Sequence, residues 1–167
     1  TGAGAGIGAA TARHLVAKGW RVAIFDRDGA AARRMSEEIG AAHTLWQDGD
    51  VLDKESVAGV LDKMDHAWGG IDDLVNNAGT FHHGPLLDLT LEHWRQVFDV
   101  NLMAPIMISN AAVRRMKSAG AIVNVSSVLG QVSAPTRGPY CVSKSALISL
   151  TKMQAIEWAE RGIRVNA

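Results

Sequence analysis

The stretch TGAGAGIGAATARHLVAKGWRVAIFD (Thr1–Asp26) packs four glycines into its first eight residues. It then runs into a helix-like pattern and ends in a short apolar run closed by an acid. Glycine admits positive φ and lets another group come close to the backbone. A helix N-terminus presents free N–H groups and the positive end of a dipole, a combination that suits a pyrophosphate. Gly4, Gly6 and Ala9 fit the G-x-G-x-x-G/A pattern, a weak signal alone. Asp26 strengthens it. It closes the next strand-like run about twenty residues on, where a carboxylate can bind an adenosine ribose.

The same alternation continues. Strand-like runs are read at Arg21–Asp26, Ile71–Gly79 and Ala121–Ser127, with another beginning at "IRVNA". "HTLWQDGDV" (43–51) is read as a further strand. Apolar residues at helical spacing lie between them: Ala12, Leu15 and Val16; Val57, Val60, Leu61 and Met64; Leu91, Trp94, Val97 and Phe98; Leu147, Leu150 and Met153. Strand, helix, strand in repetition predicts an α/β fold, a Rossmann-like doubly wound parallel sheet in one domain over residues 1–167. In such sheets ligands lie beyond the carboxyl ends of the strands. Asp26, Asp50, Asn77, Ser126 and Ser127 cluster at those ends.

Composition narrows the function. Apolar residues make up 47%, and the 17 basic and 17 acidic side chains cancel. That is not the basic footprint of a nucleic-acid binder. No apolar run approaches the ~18 residues of a membrane span. The single cysteine, Cys141, cannot form an internal disulfide, so a reducing, cytoplasmic setting is expected. No histidine, cysteine or carboxylate spacing suggests a metal site. His82 and His83 are read as loop residues, and Cys141 as a structural thiol.

Tyr140 is the only tyrosine, and Lys144 follows it four places later. On a helix the two are neighbours on one face. A phenol must come down by about 2 to 3 pKa units, roughly 3 to 4 kcal/mol, to exchange protons near neutrality. An ammonium ~5 Å away at an effective dielectric of ~20 supplies roughly 3 kcal/mol. Ser127, thirteen residues before Tyr140, ends a strand-like run. Its hydroxyl could hold a substrate carbonyl while Tyr140 moves the proton. Asn101 falls on the apolar stripe of Trp94, Val97 and Phe98, and a polar residue on a buried face needs partners. It is either a satisfied core asparagine or one that binds a water leading to Lys144.

In these features the chain resembles a classical short-chain dehydrogenase/reductase. "TGAGAGIG" matches the T-G-x-x-x-G-x-G loop at Thr1, Gly2, Gly6 and Gly8, and "NNAG" (Asn76–Gly79) matches the strand motif on the adenosine side. "DV" at Asp50–Val51, "NVSS" and "YCVSK" follow in the family's order, so the resemblance covers essentially the whole chain. It implies that Tyr140 is the general acid/base, that Lys144 lowers its pKa and holds the nicotinamide ribose, that Ser127 orients the reacting oxygen, and that Asn101 maintains a proton relay. It implies that Gly2, Gly6, Ile7 and Gly8 line the pyrophosphate, that Asp26 reads the ribose, that Asp50 and Val51 meet the adenine, and that Asn77, Ala78 and Gly79 lie on the adenosine side. A homodimer or homotetramer built on the helices carrying Asn101 and Tyr140 is also implied.

The function so implied is NAD(H)-dependent interconversion of a secondary alcohol and a ketone. NAD is favoured over NADP because Asp26 would repel the extra phosphate; Arg27, which could accept it, is read as a solvated surface residue. The alternatives are an NADPH-dependent ketoreductase of the 3-oxoacyl reductase kind and a non-catalytic NAD-binding sensor. The loops Thr80–Thr90 and Gly130–Pro139, with two histidines and Arg137, are expected to form part of the substrate pocket. No strand precedes the glycines and the chain stops as a strand begins, so a piece of a longer protein is expected, poorly stable and inactive alone.

Overall fold

The computed structural model describes residues 1–167, which form two compact units, Thr1–Ile71 and Asp72–Ala167. In the first, helix α1 (Gly6–Ala17) leads to strand β1 (Val22–Asp26), helix α2 (Gly29–Ile39), strand β2 (Thr44–Asp48) and helix α3 (Lys54–Trp68). β1 and β2 pair in parallel, with Asp26 opposite Asp48. Small Ala9 and Ala32 let the helices close on the strand: with Ala3, Ile24 and Met35 they form the buried cluster, and Val22 and Ile39 pack against it. Asp28 and Asp53 cap α2 and α3 through their carboxylates, each satisfying amides that the first turn leaves without partners. The strand expected within 43–51 is present as β2.

The second unit runs β3 (Asp73–Asn76), α4 (Leu91–Phe98), α5 (Ala104–Arg115), β4 (Gly120–Asn124), α6 (Gly138–Glu157) and β5 (Ile163–Asn166). Its sheet is parallel in the order β3-β4-β5. Parallel strands joined through helices make this the expected α/β, Rossmann-like architecture. Leu74, Ile122 and Val165 share one register row and are buried. Two residues on, the same face carries Asn76 and Asn124, also buried. A buried amide must find partners, and here the two find each other. Asn76 Nδ2 donates to Asn124 Oδ1 (2.8 Å) and to Ser109 Oγ on α5 (3.0 Å). Asn124 Nδ2 donates to Thr151 Oγ1 (2.9 Å) and Gln154 Oε1 (3.1 Å) on α6. The ladder joins two strands and two helices at one level.

Between α4 and α5 the helix widens. Asp99–Met103 is a π turn, in which Ala104 N–H donates to Asp99 O. Pro105 gives the reason. It has no N–H for the carbonyl of Asn101, and its ring would clash with that carbonyl in a regular α-helix. Such bulges occur often at functional sites. No helix in the chain is long and apolar enough to cross a membrane.

Candidate active site

The glycine loop belongs to the first unit. Gly2 and Gly6 hold φ of 60° and 55°, a region that favours glycine. Gly4 is required by close approach: a Cβ there would lie 2.9 Å from Ala31 Cβ and 3.1 Å from Asp26 Cγ. Its amide donates to Asp26 Oδ2 (2.8 Å), and the amide of Asp28 donates to Asp26 Oδ1 (3.0 Å). Asp26, at the end of β1, therefore locks the loop as well as presenting a carboxylate. Only the second role follows from the sequence. α1 begins behind Ala5, which offers no side-chain cap, so its first amides are left for an anion. Ile7 is exposed and Gly8 buried. Gly49 N–H bonds Asp26 O (3.0 Å), which carries exposed Asp50 and half-buried Val51 to the same end of the strands as Asp26. Arg27 is exposed. A cradle that a Cβ would fill, free helix amides and a fixed acid fit a dinucleotide.

The tyrosine and lysine belong to the second unit, on the first turns of α6. Lys144 Nζ lies 5.7 Å from the centre of the Tyr140 ring. The residue is 4% exposed. Its ammonium donates to the carbonyl of Val125, just past β4 (2.7 Å), and no carboxylate pairs with it. Burial without a counter-charge brings its pKa down to about 8. Tyr140 is half-buried, and its hydroxyl has no protein partner.

Ser127 is not at the end of the strand as read from sequence. β4 stops at Asn124, and Ser127 caps a short 3₁₀ turn over Val128–Gly130. Its Oγ accepts from Leu129 N–H (3.1 Å), which leaves its own proton to donate. Three bonds clamp this turn to α6: Lys144 Nζ to Val125 O, Ser126 Oγ to Lys144 O (2.9 Å), and Ser145 Oγ to Gly130 O (2.7 Å). Gly130 lies so close that a Cβ would meet the Lys144 carbonyl at 2.9 Å. No spacing in the sequence signals these clamps, which join segments 15 to 19 residues apart.

Asn101 lies on the π turn and is fully buried. Its Oδ1 accepts from Thr80 N–H (2.8 Å), and its Nδ2 donates to Thr80 O (2.9 Å) and Ser143 Oγ (3.0 Å). Ser143 Oγ in turn donates to Tyr140 O (2.8 Å). The structural side of the alternative is thus met in full. Gly79 is exposed beside this group, with half-buried Asn77 and Ala78 before it; a Cβ on Gly79 would lie 3.3 Å from Asn101 Oδ1 and 3.7 Å from Lys144 Nζ. In the facing loop, His82 stacks on His93 (4.3 Å) and bonds Gln96, while His83 meets the edge of Phe81 (5.0 Å).

Comparison with known proteins agrees with this geometry. The family model for short chain dehydrogenases matches residues 1–167. The chain is 41% identical to cis-4-hydroxycyclohexanecarboxylate dehydrogenase of Sinomonas cyclohexanicum, over all of this chain and 69% of that protein. It is 40% identical to the inactive 2-(S)-hydroxypropyl-CoM dehydrogenase 2 of Xanthobacter autotrophicus, over 93% of this chain and 68% of that one. A crystal structure of a short-chain type dehydrogenase/reductase from Mycobacterium marinum superposes with a TM-score of 0.94 at 34% identity, covering 99% of this chain and 68% of that one. A match from first residue to last, on a parallel α/β frame with its glycine loop and its tyrosine–lysine helix, makes this chain a member of the short-chain dehydrogenase family.

Proposed function

We propose that the protein is a nicotinamide-dependent oxidoreductase that interconverts a secondary alcohol and a ketone, with NAD favoured over NADP. One observation carries the reading. Lys144 is a buried ammonium without a carboxylate, bonded to a strand-end carbonyl and set beside the only tyrosine. Unpaired buried charge is unfavourable for stability, and strongly perturbed groups cluster at functional sites. The one hydrogen bond to Val125 O is a small structural return against the cost of burying an ammonium without a counter-charge.

The dinucleotide, when bound, would supply the hydride acceptor and donor. Gly2, Gly6, Ile7 and Gly8 would hold its pyrophosphate and Asp26 its adenosine ribose. Asp50 and Val51 would meet the adenine, and Asn77, Ala78 and Gly79 would lie on the adenosine side. Lys144 would hold the nicotinamide ribose. Tyr140 takes the hydroxyl proton in oxidation and returns it in reduction. Ser127 donates its free proton to the substrate oxygen. Asn101 positions Tyr140 through Ser143 and would hold a relay water toward Lys144; Pro105 offers its carbonyl no N–H. Residues 1–167 act as one functional domain on this reading. One relative carries "inactive" in its name, so these residues, and not overall identity, support activity. The relative that acts on cis-4-hydroxycyclohexanecarboxylate suggests the secondary-alcohol class.

A homodimer or homotetramer built on the helices carrying Asn101 and Tyr140 is part of the proposal, supported by exposed Met103, Met153 and Ile156. So is a reducing, cytoplasmic location, supported by the buried free thiol of Cys141. The test is oxidation of a panel of secondary alcohols with NAD and with NADP, in the parent and in Asp26→Ser. The parent should prefer NAD, and the variant should lose that preference by about tenfold or more, the scale of one removed charge repulsion. A parent that prefers NADP refutes the cofactor assignment; no turnover with either refutes the enzyme.

A further inference from the structure

We infer that Arg137 recognises an anionic group on the substrate, so that the substrate class is secondary alcohols and ketones that carry a carboxylate or similar anion. This rests on the reading of Tyr140 as the proton-transfer residue. Arg137 is half-buried and immediately precedes α6, three residues before Tyr140. Its guanidinium carbon lies 5.3 Å above the centre of the Phe81 ring. The Phe81 ring lies edge-on to Tyr140, with centres 6.4 Å apart. Phe81 thus touches both the guanidinium and the phenol ring.

No carboxylate pairs with Arg137, and none of its side-chain N–H groups bonds to the protein. Guanidinium offers five donors in a planar fork that matches a carboxylate in two-point geometry. The cation–π contact with Phe81 holds the guanidinium at the ring without using any of its N–H donors.

The backbone holds the residue in place. Thr136 has φ 64°, the one non-glycine residue of the chain with positive φ. A β-branched residue there is strained by about 1–3 kcal/mol, and such strain concentrates at functional sites. Thr136 O accepts from Gly84 N–H (3.1 Å), which ties this loop to the one that bears Phe81. Arg137 O accepts from Cys141 N–H (2.9 Å), which anchors it to the first turn of α6. The amides at the start of α6 have no side-chain cap and add the same sign of potential. A surface arginine kept only for solubility would need neither the ring contact nor the strained turn.

The test compares 5-hydroxyhexanoate with its methyl ester in the full-length protein, in the parent, Arg137→Gln and Arg137→Lys. Binding of 5-oxohexanoate and its ester to the protein with NADH, by calorimetry, serves as a readout that needs no turnover. The parent should favour the acid over the ester by about tenfold or more in kcat/KM, mainly through KM. Arg137→Gln should abolish that preference in both kinetics and binding, with the loss falling on the acid more than on the ester. Arg137→Lys should keep most of it. An acid-to-ester ratio unchanged by Arg137→Gln overturns the inference. So does preference for the ester in the parent. If neutral alcohols turn over in a Tyr140-dependent way while the acid gains nothing, the anion subsite fails and the oxidoreductase reading stands. If nothing turns over or binds, both fail.

Discussion

Replacing Lys144 with methionine should make the protein more stable at neutral pH while removing its activity. The buried ammonium has a pKa of about 8, against 10.5 for a free lysine. That difference corresponds to roughly 3 kcal/mol held against folding wherever both states are protonated. Methionine fills similar space without charge, but it leaves the Val125 carbonyl without its donor, a loss of about 1 kcal/mol. The net expectation is a gain of roughly 2 kcal/mol at pH 7. Between about pH 8 and pH 10.5 the unfolded parent holds a proton on this lysine that the folded parent has released. Parent stability therefore rises with pH across that window, and the contribution is complete near pH 10.5. The variant has no such slope, so its advantage shrinks as pH rises and reverses by about 1 kcal/mol at the top. Urea denaturation of both proteins at several pH values reads the difference, and other titrating groups are common to both. Parallel stability curves would refute the claim that Lys144 is held at a cost. A variant that keeps full turnover would refute its role.

Asn101→Ala should lower stability by about 2–4 kcal/mol, because it strips partners from both backbone groups of Thr80 and from Ser143; denaturant midpoints check this. Gly4→Ala should weaken NADH binding by about tenfold or more, since the added methyl meets Ala31 and the Asp26 carboxylate that locks the loop; fluorescence titration of NADH reads it. Unchanged affinity would mean that the loop does not hold the dinucleotide.

The local parts of this architecture were legible in the sequence. A lysine four residues after a tyrosine needs only a helix to become its neighbour, and α6 runs from Gly138 as its spacing implies. An asparagine on an apolar stripe must be buried and bonded, and Asn101 is both. Asp26 and Asp50 follow from the polar ends of apolar runs. What was not legible depends on register across distant segments. The Asn76–Asn124 pair spans 48 residues and needs β3 and β4 aligned to appear at all. The bonds of Ser126 and Gly130 to Lys144 and Ser145 on α6 need the strand to stop at Asn124, three residues before the end of the run Ala121–Ser127. The π turn had a visible signal in Pro105, but its consequence for Asn101 emerges only once the helix is known to continue on both sides. The unfavourable burial of Lys144 is a matter of environment, which spacing does not encode.

The most direct test of the central claim is Tyr140→Phe in the full-length protein, with NADH binding and alcohol turnover measured side by side. The variant removes one oxygen and leaves the ring beside Lys144 and Phe81. Retained NADH affinity with turnover reduced by at least about a hundredfold, the scale of a lost general acid/base, is the expected result. Turnover within a few-fold of the parent would contradict it, because the proton would then be passing through another group.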